Sequence, residues 1–600
     1  MQCLVLLAAF VSVALAAGPS LVNVTVEWGT TTSVLATVPS LQVVAHSSLV
    51  RSSPIHDEVF QSLAALGNPR NVRYAPWNPY ARQAVAELDP PTTGVSCTPM
   101  SWVFGQTDPV NLACGNSTIA SVTFASYGTP KGICGAYTVN PTCHADVNLS
   151  RCVGKQSCWV DPTMFGDPCP GIPKYLAVEV ACASPTTIVT YWNLTTPDAV
   201  FTDFWSAVDG DNSAPIVNFC TQPTWLYSPG DWSYPQQDNI PWGGYTRGTA
   251  PVPDLAALGD YYGRLMAWYT LGGFTDEAGT RHTSPNPVIN VQIVEVFNEV
   301  DYEHGHTPQS YTIEYDAVVA GIRRWADPTK KIKFVGLSLP NIDGEALVET
   351  WATYFLNASN HAEGARDSLD YIGYHAYPTN GPYTRDPASF AQMFTYVDSF
   401  IETVAAVDAI INKLSPTTQT MLDETGTDMD NVLDRSKSPP DDNPYYWVAS
   451  GSYFAYMYAR AATLCNTTVR VVGQSQLMDA PGQEPSVTLL DWTTGRGTAK
   501  YWVLKLLLES FTINDVFAVT TTSSSDVYAQ GFLAGTGGSR RILLVNKGYA
   551  AQSVQLVGDL PTCVASIVDV TTGLGPARVE SCAPTGTFTL PGYATAIVQV

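Results

Sequence analysis

The feature that most constrains this chain is a repeated alternation of short, almost continuously apolar runs with amphipathic stretches. The apolar runs are "LQVVAHSS" (41–48), "NVRYAP" (71–76), "APIVNFCTQP" (214–223), "NVQIVEVFNE" (290–299), "IKFVGLSLP" (332–340), "LDYIGYHAYP" (369–378), "QTMLDETG" (419–426) and "VRVVGQSQLM" (469–478). Each is followed by a segment of helical period. In "SPIHDEVFQSLAAL" (53–66), for example, Ser53 reads as N-cap, Pro54 sits in the first turn, and Val59, Leu63 and Leu66 share one face. Strands apolar on both faces belong to a parallel sheet covered by helices, and eight strand-helix units fit a (β/α)8 TIM barrel, an α/β fold. A doubly wound open sheet is the alternative, but no glycine-rich phosphate turn follows the first strand.

Two regions break the pattern. From about residue 512 the apolar period becomes two, in "DVYAQGFLAG", "RRILLVNKG", "SVQLVG" and "GYATAIVQV", which predicts a C-terminal antiparallel β-sandwich. Between the second strand and the second helix, Cys97, Cys114, Cys134, Cys143, Cys152, Cys158, Cys169 and Cys182 crowd into one segment, as in a small disulfide-stapled module. That position is a βα loop, so the module is expected beside the barrel mouth, where such loops build catalytic sites. The expected division is a signal peptide at 1–17, a first part of the barrel at 18–94, the inserted module at 95–183, the rest of the barrel at 184–511 and the sandwich at 512–600.

The opening "MQCLVLLAAFVSVALAAG" is an apolar run too short to span a bilayer and carries Ala14-Leu15-Ala16, a small-residue cleavage pattern, so it reads as a secretory signal peptide although it lacks a basic start. No later run reaches the roughly 18 apolar residues of a membrane span. Six Asn-x-Ser/Thr sequons, at Asn23, Asn116, Asn148, Asn193, Asn357 and Asn466, point with the cysteines to a secreted, extracellular glycoprotein or one held in the secretory lumen. A formal charge of −23 argues against nucleic acid or an anionic membrane surface as partner.

Candidate chemistry sits at strand ends. Glu299 closes the fourth strand, and Asp423-Glu424 closes the seventh. Side chains from these two tips can converge over the mouth, and glycoside hydrolysis needs such a carboxyl pair, one to protonate the leaving oxygen and one to attack or direct water. Glu295, earlier on the same strand, is expected to support the site from below, while Asp301, Glu303, His304 and His306 belong to the loop beyond, as rim or substrate contacts. The His-Gly-His pair raises a metal reading, but no zinc-type spacing accompanies it, so neither metal nor cofactor is expected.

The stretch "VEVFNEVDYEHGH" (294–306) resembles the strand-four signature of clan A glycoside hydrolases, in particular the β-xylosidase and α-L-iduronidase branch, although Val300 stands where that family has proline. The resemblance implies that Glu299 is the acid/base, that Asn298 contacts the sugar 2-hydroxyl, and that Glu424 in "LDETG" is the nucleophile. It also implies supporting roles for Arg73, which would keep the nucleophile ionised, and for His375 and Tyr377, which would line the site. Retention of configuration follows for such a clan, with carboxyl groups about 5 to 5.5 Å apart. Glu424 must then stay ionised, and Glu299 must keep its proton until it donates it.

Within the module, the text from 124 to 182 resembles the galactose- and rhamnose-binding lectin domain known from sea urchin egg lectin and plant β-galactosidases, through Tyr127-Gly128, six ordered cysteines and Phe165-Gly166-Asp167-Pro168-Cys169. That resemblance implies sugar contacts at Tyr127, Asp167 and Lys174. Thr98 and Thr129 stand where the family has glutamate and arginine. The whole reads as a secreted retaining glycosidase acting on an oligosaccharide, polysaccharide or glycoconjugate, with a module for a galactose- or rhamnose-type sugar. The alternative is a carbohydrate-binding or adhesion lectin whose barrel no longer catalyses.

Overall fold

The computed structural model describes residues 21–600 except 68, 77–82, 94, 98–109, 115–116, 132–136, 173, 184–187, 212, 228–251, 341–344, 379–380, 435, 438, 440, 480–484, 536–537 and 559–561. The expected signal peptide lies outside the described residues. Eight parallel strands close into a barrel: in order, Val38–Val44, Arg73–Ala75, Ile216–Val217, Ile293–Glu295, Lys333–Leu339, Tyr371–Ala376, Gln419–Thr425 and Val469–Gln474. Strand one shuts the ring by pairing with strand eight, Val471 opposite Val38, and with strand two, Gln42 opposite Arg73.

Helices from His56–Ala64 to Ala499–Ser510 wrap the barrel, one after each strand. The first starts at His56 with Ile55 as N-cap, two residues later than the N-cap expected at Ser53. The helices Leu255–Thr270 and Pro308–Trp325 approach so closely that a Cβ on Gly321 would fall 1.8 Å from the Gly259 carbonyl oxygen. The interior is layered. Near the strand starts Ile216, Ile293, Val335, Tyr371, Met421 and Val471 form an apolar plug. Above it the inward positions turn polar, with Gln42, Arg73, Glu295, Ser338, His375, Asp423 and Glu424 all buried.

The C-terminal region is one nine-stranded sheet whose two ends share a core, with Val554, Leu556 and Phe588 from one end meeting Ala565 and Ile567 from the other. It is antiparallel except at one pair, because Leu21–Val34 is inserted between Val516–Thr522 and Gln552–Val557 and runs parallel to the latter. The segment expected to open the barrel thus opens instead with a strand of the other unit. Its composition explains this: Val22 and Val24 are buried while Leu21 and Asn23 are exposed, the period-two pattern of a one-sided sheet. Cys563 and Cys582 are disulfide-bonded.

The inserted module leaves and re-enters the barrel through a two-stranded ribbon, Glu87–Thr93 paired with Ile188–Trp192. Beyond it a four-stranded antiparallel sheet carries Tyr175–Cys182 between Val95–Cys97 and Ile119–Gly128. Disulfides join Cys114 to Cys182, Cys143 to Cys169 and Cys152 to Cys158. Trp225, in the loop after the third barrel strand, packs on the module core, which puts the module on the mouth side. Cys220 is a buried thiol that donates to the Pro76 carbonyl at 2.9 Å. Among the described residues no helix is long and apolar enough to cross a membrane. Of the sequons, Asn23, Asn148, Asn357 and Asn466 are exposed and Asn193 is half-buried.

Candidate active site

The tip of strand four is sharply bent. Phe297 and Glu299 have φ of 66° and 44°, and the facing strand-five residues Leu337 and Ser338 have 71° and 44°, conformations that side-chain-bearing residues rarely adopt. Such geometry needs support, and the Asn218 amide donating to the Phe297 carbonyl (2.8 Å) and the Glu299 N–H donating to the Ser338 carbonyl (2.8 Å) supply it. The bend sends Asn298 inward and brings Glu299 over the mouth. On strand seven, register shifts against both neighbouring strands let the consecutive residues Asp423 and Glu424 both reach the interior.

Arg73 is the hub. It is 1% exposed; its Nε donates to Glu295 Oε2 (2.5 Å), its Nη2 to Asn298 Oδ1 (2.6 Å), and its Nη1 to Glu424 Oε1. Burial opposes the guanidinium charge, but Glu295, Glu424 and Asp423 outweigh it and hold Arg73 firmly protonated. The same contact works in reverse on Glu295, where burial favours protonation and Arg73 more than offsets it, so this carboxyl stays ionised. Asp423 goes the other way: burial and the nearby Glu295 charge push it well above the usual carboxylate range. Asp423 Oδ2 also accepts from Ser338 Oγ at 3.1 Å. Gly373 makes room, since a Cβ there would lie 2.6 Å from Asp423 Oδ2.

Glu424 is almost fully buried and takes a second hydrogen bond from the Tyr377 hydroxyl at 2.9 Å. Glu299 faces the wetter side of the site with 18% of its side chain exposed. His375 bridges the two: its Nδ1 is 3.0 Å from Glu299 Oε1 and 3.7 Å from Glu424 Oε2, and its Nε2 is 3.0 Å from Ser338 Oγ. Burial lowers the affinity of this imidazole for its proton, yet Glu424, Glu299 and Asp423 prevail and push it up to about 9. One atom each of Glu299, His375 and Glu424 fall within 4.8 Å of one another, a spacing that would also suit a metal ion. A charged imidazole has no lone pair to offer, however, and both Glu424 oxygens already accept hydrogen bonds, so the donor set does not fit one.

All six residues expected at the barrel site, Arg73, Asn298, Glu299, His375, Tyr377 and Glu424, therefore meet in one place, with Glu295 beneath. The histidines of the following loop do not. His304 and His306 are buried with their rings 5.1 and 6.3 Å from that of Phe297, so they pack under the loop and do not form a rim. His306 lies 3.6 Å from the buried Glu314, and burial drives the pair apart, to about 4 for the imidazole and about 7 for the carboxyl. Ser338 and Gln42 were not anticipated. The signal available was a lone polar residue at an inward position of an otherwise apolar strand, in "KFVGLSL" and "LQVV".

In the module, Asp167 pairs with Lys174 Nζ at 2.7 Å, and the same ammonium donates to the Cys169 and Ile172 carbonyls at 2.9 and 2.8 Å. Tyr127 is buried beside them: burial raises its hydroxyl pKa and Lys174 pulls it back. Of the three, Asp167 is the one clearly open to solvent.

Residues 112–182 match the family model of the D-galactoside/L-rhamnose-binding SUEL lectin domain. Similar curated proteins are "Beta-galactosidase 8" of Arabidopsis thaliana, 45% identical over 87 residues, and "Beta-galactosidase 7" of Oryza sativa subsp. japonica, 39% identical over 87 residues. Each alignment covers 13% of this chain, and the chain spans about a tenth of the length of these relatives (10% and 11%). Across the whole chain, similar solved structures include the α-L-arabinofuranosidase of Thermotoga maritima (11% identity, TM-score 0.51, covering 96% of this chain and 99% of that one). A family 51 α-L-arabinofuranosidase of Bifidobacterium longum gives 12% identity, a TM-score of 0.52, and coverage of 97% and 100%. At these identities the likeness is one of fold.

Proposed function

We propose that this chain is a secreted retaining glycoside hydrolase in which Glu424 is the nucleophile and Glu299 the acid/base. The observation that carries the reading is the pairing of the two carboxyl groups through His375, with oxygens within 4.8 Å of one another. That spacing is close to the roughly 5 to 5.5 Å of retaining pairs and short of the roughly 6.5 to 9.5 Å that leaves room for an inverting water. Their environments differ as the roles require. Arg73 and Tyr377 direct hydrogen bonds at Glu424, whereas Glu299 sits nearer solvent beside His375.

In the first step Glu424 attacks the anomeric carbon while Glu299 passes its proton to the departing glycosidic oxygen. A covalent glycosyl-enzyme forms and the aglycone leaves. Glu299, now ionised, removes a proton from water, and the resulting nucleophile displaces Glu424 with net retention. Asn298, anchored on Arg73, is placed to meet the sugar 2-hydroxyl beside the reacting carbon. The substrate class is an O-linked oligosaccharide, polysaccharide or glycoconjugate. The SUEL-type module, mounted on the mouth side, would hold a galactose- or rhamnose-type residue of the same chain through Tyr127, Asp167 and Lys174. Export is supported by the leader-like residues 1–17, by disulfides and by sequons on exposed asparagines.

The test is a panel of aryl glycosides on the wild type, Glu424→Ala and Glu299→Ala, with product configuration read by NMR. Retained configuration, with loss of turnover in both variants, is expected. Undiminished turnover in Glu424→Ala would overturn the assignment, and no turnover on any glycoside with sugar binding intact would leave a non-catalytic lectin.

A further inference from the structure

The far end of the barrel holds a second arrangement that the hydrolytic reading does not use. Below the apolar plug a basin of about 410 Å³ opens among the N-terminal ends of the strands, walled by Arg70, Lys331, Lys333 and Arg470, with Asn71 and Gln292 between them. Among the described residues, none of the four cations has a carboxylate within 4.0 Å.

Two of the four cations and both amides have contacts that position them. Arg470 Nη1 donates to the Thr467 and Val469 carbonyls at 3.0 and 3.2 Å, which fixes the guanidinium and leaves its other nitrogens available. Lys333 Nζ lies 5.6 Å from the centre of the Tyr371 ring, against which its stem is braced. Asn71 and Gln292 spend one donor each on the Ala214 and Ser213 carbonyls, at 3.0 and 3.3 Å. Two acids lie within electrostatic reach of this group. Asp370 takes the Phe334 N–H at 3.0 Å, and burial pushes its carboxyl up, with Lys333 offsetting that only in part. Asp408 is likewise raised by burial and partly offset by hydrogen bonds from Thr468 and by Arg470. The basin therefore gathers four positive charges with no carboxylate in ion-pair contact among the described residues.

We propose that this basin binds a sulfate or phosphate oxyanion, free or as a monoester on a sugar. Arginine forks match oxyanion geometry, lysines add point charge, and a doubly charged group is better matched to four cations than a single carboxylate is. A volume of about 410 Å³ admits a sugar ring beside the anionic group. The site is separate from the carboxylate mouth, with the plug of Ile293, Met421 and Val471 between them.

Isothermal titration of the whole chain with inorganic phosphate, inorganic sulfate and glucose 6-phosphate, at ionic strength fixed with chloride, tests this. Saturable binding is expected, weakened about tenfold or more in Arg470→Gln and in the Lys331→Gln/Lys333→Gln double variant. Glucose 6-phosphate binding about tenfold tighter than inorganic phosphate assigns a sugar ester, and equal affinity assigns the free ion. No saturable heat with any of the three, or equal affinity in wild type and lysine variant, overturns the proposal. The lysine pair is exposed, so that variant keeps the test decisive even if Arg470→Gln does not fold.

Discussion

The two ends of one barrel make opposite use of the same eight strands. At their C-terminal ends, Glu295, Glu299, Asp423 and Glu424 crowd around one arginine and one histidine. At their N-terminal ends four cations gather with, among the described residues, no carboxylate within 4.0 Å. Between them lies the apolar plug. A closed parallel barrel separates these jobs because each strand offers inward positions at different heights, so charge at the top does not compromise packing at the middle. The contrast predicts that substitutions above the plug change turnover, and that substitutions within it change stability.

The largest effect is expected for Glu424→Ala, which removes the group that forms the covalent bond: kcat per folded molecule should fall about 10⁴- to 10⁶-fold, with some loss of stability because Arg73 loses a buried partner. Glu299→Ala should cost about 10²- to 10⁴-fold, and less on an aryl glycoside whose leaving group needs no proton. Comparing activated with unactivated substrates checks this, and equal losses on both would contradict the assigned role. For the plug, Met421→Ala should destabilise the fold by about 2 to 5 kcal/mol, measured by denaturant unfolding, while kcat per folded molecule holds. A collapse of kcat there would erase the division between the two halves.

His375 links charge to stability and sharpens the comparison further. Its pKa rises from 6.5 to about 9 on folding, so the stabilisation is fully present below pH 6.5 and is lost as pH climbs through about 9. The shift corresponds to about 3 kcal/mol. Unfolding free energies of wild type and His375→Gln should therefore differ most in mild acid and converge above about pH 9. A constant difference across that range would mean that the imidazole is neutral throughout. The smallest effect is assigned to Asp423→Asn. If Asp423 already holds a proton, a neutral isostere should shift stability by about 1 kcal/mol or less, whereas Glu295→Gln strips Arg73 of a buried partner and should cost about 3 to 5 kcal/mol. Comparable losses in both would show that Asp423 carries a charge.

The barrel was legible because its strands are apolar on both faces, a pattern few other elements produce, and because Glu299 and Glu424 end two of them. Other features depended on geometry that no short window carries. Leu21–Val34 was assigned to the wrong unit because its alternation reads as a strand but its partners lie far along the chain. The inward turn of Asp423 rests on a register shift, and the burial of His304 and His306 rests on how one loop folds back over Phe297. The cationic basin gathers Arg70, Lys331, Lys333 and Arg470 from three separate segments, none in a motif. Asp167 and Lys174 of the module were recognisable, but the engagement of the lysine by two carbonyls was not.

The pairing of Leu21–Val34 with strands near the other end of the chain has a consequence for the order of events in the cell. Asn23 and Ser523, which are hydrogen-bonded, stand 500 positions apart. A ribosome making this protein releases the first of these strands long before the last, so an early segment with an exposed row of backbone donors must stay unpaired while the whole barrel and its insert emerge. Domains generally fold as they appear, and this one cannot. Its Val22 and Val24 remain open to chaperones, or to another chain, until Val516–Thr522 and Gln552–Val557 have emerged, and the sheet then acts as a clasp that closes only once both sets of strands exist.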